Sequence, residues 1–379
     1  MFGLPAAWRD SFDSLALLQA HRMRPLIPTL LLPVFAAAVL ASDTIGRDGL
    51  GPRTIRLAYE ARVMPPPGTE RVELWLPLPR EENQAVRELK LSGSGHVTVV
   101  RLPESADRVA WVRAEKPSEP VVLGVTALVT RQELRAPVSA SRARVADVDL
   151  AAYAAELGPS PSVQINDEVR AIARRESAGK PTVVAQARAL YDWVFDHMQY
   201  DKSVPGWGLG DIPYCLKVGK GNCTDFHTLF IALARATGIP ARWNMGFPVA
   251  YGDGKADTGD QTVAGYHCWA EFYAPGAGWV PVDISEARKH PELKDYFFGN
   301  LSGNRVLFTR GRDLVLDGRG KVLNYLIYPV ARADGKETSG VEWKFSYRDV
   351  PDTELTRTAA DYGSGSQPAA TLALLHPTP

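Results

Sequence analysis

Cysteine is scarce in this chain: Cys215, Cys223 and Cys268 are the only three among 379 residues. So few thiols exclude a disulfide scaffold, and a chain of this length can rest on an ordinary apolar core. An excess of either charge is missing as well, with 43 Lys+Arg against 43 Asp+Glu. With no net field and no basic cluster, neither nucleic acid nor an anionic membrane surface is an expected partner. A membrane-length apolar run is also lacking. The stretch Leu26–Leu40 falls short of the ~20 apolar residues a spanning helix needs, and Pro25, Pro28 and Pro33 interrupt it.

That stretch has a better explanation. Arg22, Met23 and Arg24 precede it, and Ala38-Val39-Leu40-Ala41 closes it before Ser42. A positive start, an apolar middle and small residues at the end describe a secretory signal. Residues 1–43 are therefore expected to be a signal peptide region, with Met23 a candidate true start. The mature protein is expected to be exported, periplasmic or extracellular, with no stable membrane span after cleavage. An uncleaved anchor is the alternative. In an exported protein an odd number of cysteines leaves at least one free thiol that asks for a function.

Length suggests two domains at ~150 residues each, and 45% hydrophobic with 23% charged residues describes a foldable globular chain. From Thr54 to about Arg135 apolar residues alternate with polar ones: Ile55, Leu57, Tyr59, Ala61, Val63, and again Val121, Leu123, Val125, Ala127, Val129. Residues 50–145 are expected to form an antiparallel β-sandwich domain without chemistry of its own, His96 and Asp107 being solvated surface. The period then changes. Helices are expected over Asn166–Ser177, from a Thr182 cap to about His197, and from about Cys223 to Gly238. The last carries apolar residues on more than one side and should be buried. Strands follow at Arg242–Phe247, Tyr266–Tyr273 and Trp279–Ile284, the last two joined as a hairpin by Ala-Pro-Gly-Ala-Gly. Residues 146–350 are expected as a second, α+β domain with its core at about 185–300, and residues 351–379 as a loose C-terminal tail.

One constellation carries chemistry. Cys223 falls at a helix N-terminus, where unpaired backbone N–H groups and the helix dipole favour thiolate, the nucleophilic form. The same N–H groups can hold an oxyanion. Taken alone, Cys223 reads equally well as a small buried hydrophobe. His267 and Asp283 change the balance. They sit on the two strands of the hairpin, and a centre at residue 275 pairs them directly; a slip of two still leaves both on one face. A carboxylate there can fix the tautomer of the imidazole and stabilise its charged form, leaving the other ring nitrogen for the thiolate. Asp225 is expected to cap the buried helix or anchor a loop. His227 is expected to make a structural hydrogen bond. A zinc site from Cys223, His227, His267 and Asp283 lacks a spacing signature. Trp269 shares a face with His267, and Trp207 is expected in the core, with cleft lining or an oxyanion contact as alternatives. Cys268 is expected to point away from His267 and to be available for a bridge to Cys215.

The motifs Gly-Asn-Cys-Thr-Asp-Phe-His (221–227), Gly-Ile-Pro-Ala-Arg (238–242), Tyr-His-Cys-Trp-Ala-Glu-Phe (266–272) and Gly-Trp-Val-Pro-Val-Asp (278–283) resemble the core of the transglutaminase-like superfamily, over about residues 185–300. The resemblance implies a papain-like fold, a catalytic triad of Cys223, His267 and Asp283, no metal and no organic cofactor. Such a triad points to acyl transfer from an amide through a Cys thioester, and the chemistry-free β-sandwich ahead of it points to a large substrate, such as a protein or cell-wall peptide. Water as acceptor makes a peptidase or amidase; an amine makes a transferase. A non-catalytic peptide-binding or assembly module on the same fold is the alternative from another class.

Overall fold

A computed structural model describes residues 52–103, 105–249, 259–316 and 322–351. The expected signal region, and the expected tail beyond residue 351, lie outside the described residues. Alternating segments form β1 (Arg53–Val63), β2 (Arg71–Pro77), β3 (Ala85–Gly93), β4 (Val97–Arg101), β5 (Arg108–Glu115) and β6 (Val121–Arg131). Then come α1 (Asp167–Ser177), α2 (Val183–His197), α3 (Ile212–Val218) and α4 (Cys223–Ala236). The caps are the expected ones: the Asn166 side chain accepts from Val169 N–H at 2.8 Å and Thr182 from Ala185 N–H at 3.2 Å. The chain continues through β7 (Ala241–Pro248), β8 (Gln261–Val263), β9 (His267–Ala274), β10 (Gly278–Val282) and α5 (Ile284–Lys289). It ends with β11 (Arg305–Arg310), β12 (Val330–Ala333), β13 (Lys336–Glu337) and β14 (Val341–Asp349).

The protein is α+β, with an antiparallel sandwich ahead of the helical core. One five-stranded sheet runs β8-β14-β1-β6-β3 and the other β13-β12-β2-β5-β4. Inward residues of both, such as Leu57, Tyr59, Leu74, Val112 and Val125, share one buried cluster. The sandwich is not built from residues 50–145 alone, however. β14 pairs with β1 from Ile55↔Asp349 to Val63↔Val341, and β12 pairs with β2. The reason is an open edge. With β6 on one side only, β1 would leave a long row of backbone groups unpaired. The alternating segment 341–349 covers that row and turns Phe345 and Tyr347 inward.

In the core, α4 is buried along all of Cys223–Ala234. It lies against an antiparallel sheet of order β10-β9-β7-β11, with α1, α2, α3 and α5 around it. Phe226, Leu229, Phe230 and Leu233 lose all contact with water, each worth ~1.5–3 kcal/mol by burial. Among the described residues no helix is long and apolar enough to cross a membrane.

Sandwich and core meet at a seam of fixed charges. Arg310 reaches Glu82 at 2.6 Å, and Arg242 reaches both Glu82 at 3.0 Å and Glu271 at 2.6 Å. Asp107, expected at the surface, is buried here. It takes a hydrogen bond from the Arg310 backbone N–H at 2.9 Å and pairs with Arg80. A turn residue followed by a strand of a different domain leaves no periodic trace of such a partner. His96 is exposed, as expected.

Candidate active site

The nucleophile's position is set by its neighbours. Asn222 adopts an extended backbone and its side chain accepts from Thr224 N–H at 2.8 Å, so the helix begins at Cys223. Asp225 returns the favour by accepting from Asn222 N–H at 2.9 Å, a capping box. The same carboxylate accepts from Gly208 N–H at 2.7 Å and Gly210 N–H at 3.0 Å, so it caps the helix and anchors the upstream loop at once. Burial pushes Asp225 up to about 6. Only glycine fits at 221, because a Cβ there would lie 2.2 Å from Asp225 Oδ2. Gly219 ends α3 in a left-handed turn, φ 62°, that directs the chain into α4.

The hairpin supplies the other two groups. Its pairing runs Ala270↔Val282 to Ala274↔Gly278, so the centre is residue 276 rather than 275. The ladder ends at Val282, and Asp283 becomes the N-cap of α5. Asp283 and His267 nevertheless meet: Nε2 of His267 lies 2.7 Å from Oδ2 of Asp283. The two carboxylate oxygens divide the work. Oδ1 accepts from the Glu286 N–H and the Ser285 hydroxyl, both at 3.1 Å, while Oδ2 serves His267 and the Arg305 guanidinium at 2.6 Å. The second ring nitrogen of His267 is left for Cys223, which lies near enough for the imidazole to lower its thiol. Cys223, His267 and Asp283 thus stand in one contact line at the start of α4.

The charges in this line are displaced in complementary directions. Burial opposes ionisation of Cys223, but hydrogen bonds from Cys268 and His267 and the charge on His267 hold the thiol well below its usual value. Burial opposes the His267 imidazolium, yet Asp283 raises it to about 9. Burial disfavours the Asp283 carboxylate too, and the cations of His267 and Arg305 hold it well below the ordinary carboxylate range. All three displacements run in the direction that favours a thiolate–imidazolium pair over a charged carboxylate.

Other expected residues take definite places. His227 accepts the Ile284 N–H at Nε2, 3.1 Å, a structural bond as expected. Trp269 is buried with its ring centroid 6.3 Å from that of His267, and Arg305 lies 5.1 Å over it. Trp207 departs from expectation: it is half-exposed, with Lys202 5.2 Å over its ring, because the loop pinned by Asp225 turns it outward. All three cysteines are free, so the Cys215–Cys268 bridge is not made. The Cys215 thiol turns to the Asp225 carbonyl at 3.6 Å, whereas Cys268 approaches Cys223. The helix start meets β9 at its first residue, where neighbouring side chains of both faces come within reach. Among the described residues no group of three or more His, Cys, Asp or Glu side chains could hold a metal. His227 Nε2 is taken by a backbone N–H and His267 by Asp283 and Cys223.

Arg305 and Tyr266 are functional neighbours the sequence reading passed over. The Tyr266 hydroxyl is 3.0 Å from Asn222 Nδ2 and 2.7 Å from Thr224 Oγ1, bracing the turn that presents Cys223. An arginine opening the apolar segment Arg-Val-Leu-Phe-Thr (305–309) was the available signal for Arg305, since buried cations demand an anion.

A family model for the transglutaminase-like superfamily matches residues 170–284, which span α1, the whole contact line and the first residue of α5. The segment that carries the contact line is transglutaminase-like. The chain is 28% identical over 326 residues to an uncharacterized protein of Haemophilus influenzae, covering 75% of this chain and 88% of that one. A shorter match, 31% over 82 residues, links it to the uncharacterized protein YebA of Bacillus subtilis, covering 21% and 11% of the two chains. Among solved structures, a candidate cysteine protease from Cytophaga hutchinsonii shares the fold with a TM-score of 0.54 at 16% identity. That superposition takes in 79% of this chain and 99% of the other.

Proposed function

We propose that this protein is a thiol-dependent acyl-transfer enzyme acting on peptide or amide bonds, with water as the acceptor. The reading rests above all on the unbroken line from Cys223 through His267 to Asp283, closed by the 2.7 Å imidazole–carboxylate bond. The thiolate attacks the amide carbonyl carbon, and the oxygen takes up negative charge at the helix start, where first-turn N–H groups such as that of Cys223 lack a partner within the helix. The His267 imidazolium then gives its proton to the leaving nitrogen, the C–N bond breaks, and a thioester remains. Neutral His267 next takes a proton from water, whose oxygen displaces the sulfur and releases the acid. Asp283 stays ionised throughout, holding the ring in place. An amine entering instead of water would make a transferase from the same thioester. The substrate is proposed to be a protein or peptide, cell-wall peptide included, and residues 1–43 are proposed to direct export.

Two measurements test this. Incubation with a peptide library, with and without an added amine, read by mass spectrometry, is expected to give hydrolysis products that vanish in Cys223→Ala. Alkylation of Cys223 by iodoacetamide near neutral pH is expected to outpace that of an ordinary thiol. Slow alkylation together with an unchanged biological phenotype for Cys223→Ala would instead favour a non-catalytic binding module.

A further inference from the structure

Cys268 takes no part in the acyl-transfer steps, yet it is fully buried beside the first turn of α4, near enough to the nucleophile for each thiol to shift the other. The Nδ1 of His227 lies 3.7 Å from Cys268 Sγ. Because His227 Nε2 accepts the Ile284 N–H, its proton must reside on Nδ1. A protonated Nδ1 cannot accept from Cys268, so the Cys268 S–H is left to the Cys223 sulfur and the Thr224 hydroxyl. The third thiol is engaged elsewhere, at the Asp225 carbonyl.

We propose that Cys223 and Cys268 form a reversible disulfide, making Cys268 the resolving thiol of a peroxide-sensitive modification site built on the nucleophile. The Cys223 thiolate attacks one oxygen of hydrogen peroxide and the O–O bond breaks. Cys223 becomes a sulfenic acid and the departing hydroxide takes the His267 proton to leave as water. The Cys268 sulfur then attacks the Cys223 sulfur, the S–O bond breaks, and the hydroxide released takes the Cys268 proton. Two thiols have lost two electrons and peroxide has become two waters. The order is built into the electrostatics. While Cys223 is charged, burial and that neighbouring charge hold the Cys268 thiol well above its usual value. Conversion of Cys223 to a neutral sulfenic acid removes the charge and frees Cys268 to react. Cys268 is fully buried, so the electrophile it meets is its neighbour and not peroxide in solution.

The inference shares with the proposed acyl transfer only the reactivity of Cys223, and it is read without a substrate. The reduced full-length chain is treated with graded hydrogen peroxide, and its mass and tryptic peptides are measured. Lys217 and Lys220 allow trypsin to part Cys215 from Cys223. The expected result is a loss of two hydrogens, a peptide pair joining Cys223 to Cys268, and full return of Cys223 alkylation after dithiothreitol. In Cys268→Ala, and in Cys268→Ser should the alanine variant fail to fold, Cys223 is expected to gain two oxygens and not recover. A wild-type chain that gains two oxygens at Cys223 with Cys268 still free overturns the proposal, as does a disulfide to Cys215. Rapid Cys223 alkylation in the untreated chain alongside either of those results would leave the acyl-transfer reading standing.

Discussion

The site holds two histidine–thiol pairs around one carboxylate, and they behave oppositely. His267 with Cys223 is an ion pair, the ring raised to about 9; His227 with Cys268 is neutral, the ring lowered to about 4. Burial is common to both and favours the neutral ring in each. The difference lies in what each Nε2 meets. That of His267 lies 2.7 Å from Asp283 Oδ2, while that of His227 takes a backbone N–H and stays 3.6 Å from Oδ1. A carboxylate in hydrogen-bond contact overcomes desolvation, and one held off by a competing donor does not. Hairpin placement and motif order already separated the two histidines; the backbone N–H of Ile284 supplies the physical reason.

The largest test of this contrast exchanges the two rings. His267→Gln is expected to slow acylation by roughly 10³-fold, a general acid's share of a rate, whereas His227→Gln should stay within about tenfold because glutamine can still accept the Ile284 N–H. Equal losses in peptide turnover would erase the distinction. Next comes Arg305→Met, which removes a buried cation from Asp283 Oδ2. Breaking a buried pair costs about 3 kcal/mol, to be read by urea unfolding. The loss of a cation near His267 should also move the alkaline limb of turnover to higher pH; an unmoved limb would make Arg305 merely structural.

Two pH effects of opposite sign follow. His267 is raised from its ordinary value to about 9, so its contribution is complete below pH 6.5 and lost as pH rises through about 9. Turnover should fall over the same rise, as the acid for the leaving amine disappears. His227 is lowered to about 4, so the unfolded chain binds its proton first. That contribution is complete above pH 6.5 and lost as pH falls toward about 4, on the order of 3 kcal/mol. Asp225, raised to about 6, works against it across part of this range. Comparing urea unfolding of wild type and His227→Gln at several pH values isolates the histidine; parallel curves would refute its assignment as neutral.

Local signals carried much of the reading. The Thr182 cap, the helix starts at Asn166 and Cys223 to within a residue, and the apolar faces of α2 and α4 are properties of consecutive residues, and they were legible. The hairpin was legible to within one residue at its centre, because turn chemistry marks a loop without fixing its register. What escaped were pairings between distant segments. β14 on β1, Asp107 at Arg310, Arg305 at Asp283 and Cys268 at Cys223 each depend on how whole elements pack. Alternation put Cys268 on the face away from His267, but it does not say which neighbour that face meets, here His227 of α4.

The partnership of β1 with β14 also bears on when this protein can fold. Ile55 pairs with Asp349, so a central strand made early in synthesis waits for one of the last described segments to be made. Loop closure over such a separation is slow, and chains rich in distant contacts fold slowly for that reason. Until residue 349 has left the ribosome, one edge of β1 stays bare and the first sheet incomplete. A chain that delays folding in this way remains threadable for the whole of its translation, which is the state that passage across a membrane demands of a protein. Its thiol site, assembled from residues 223 to 305, likewise waits for residue 305, whose guanidinium holds Asp283.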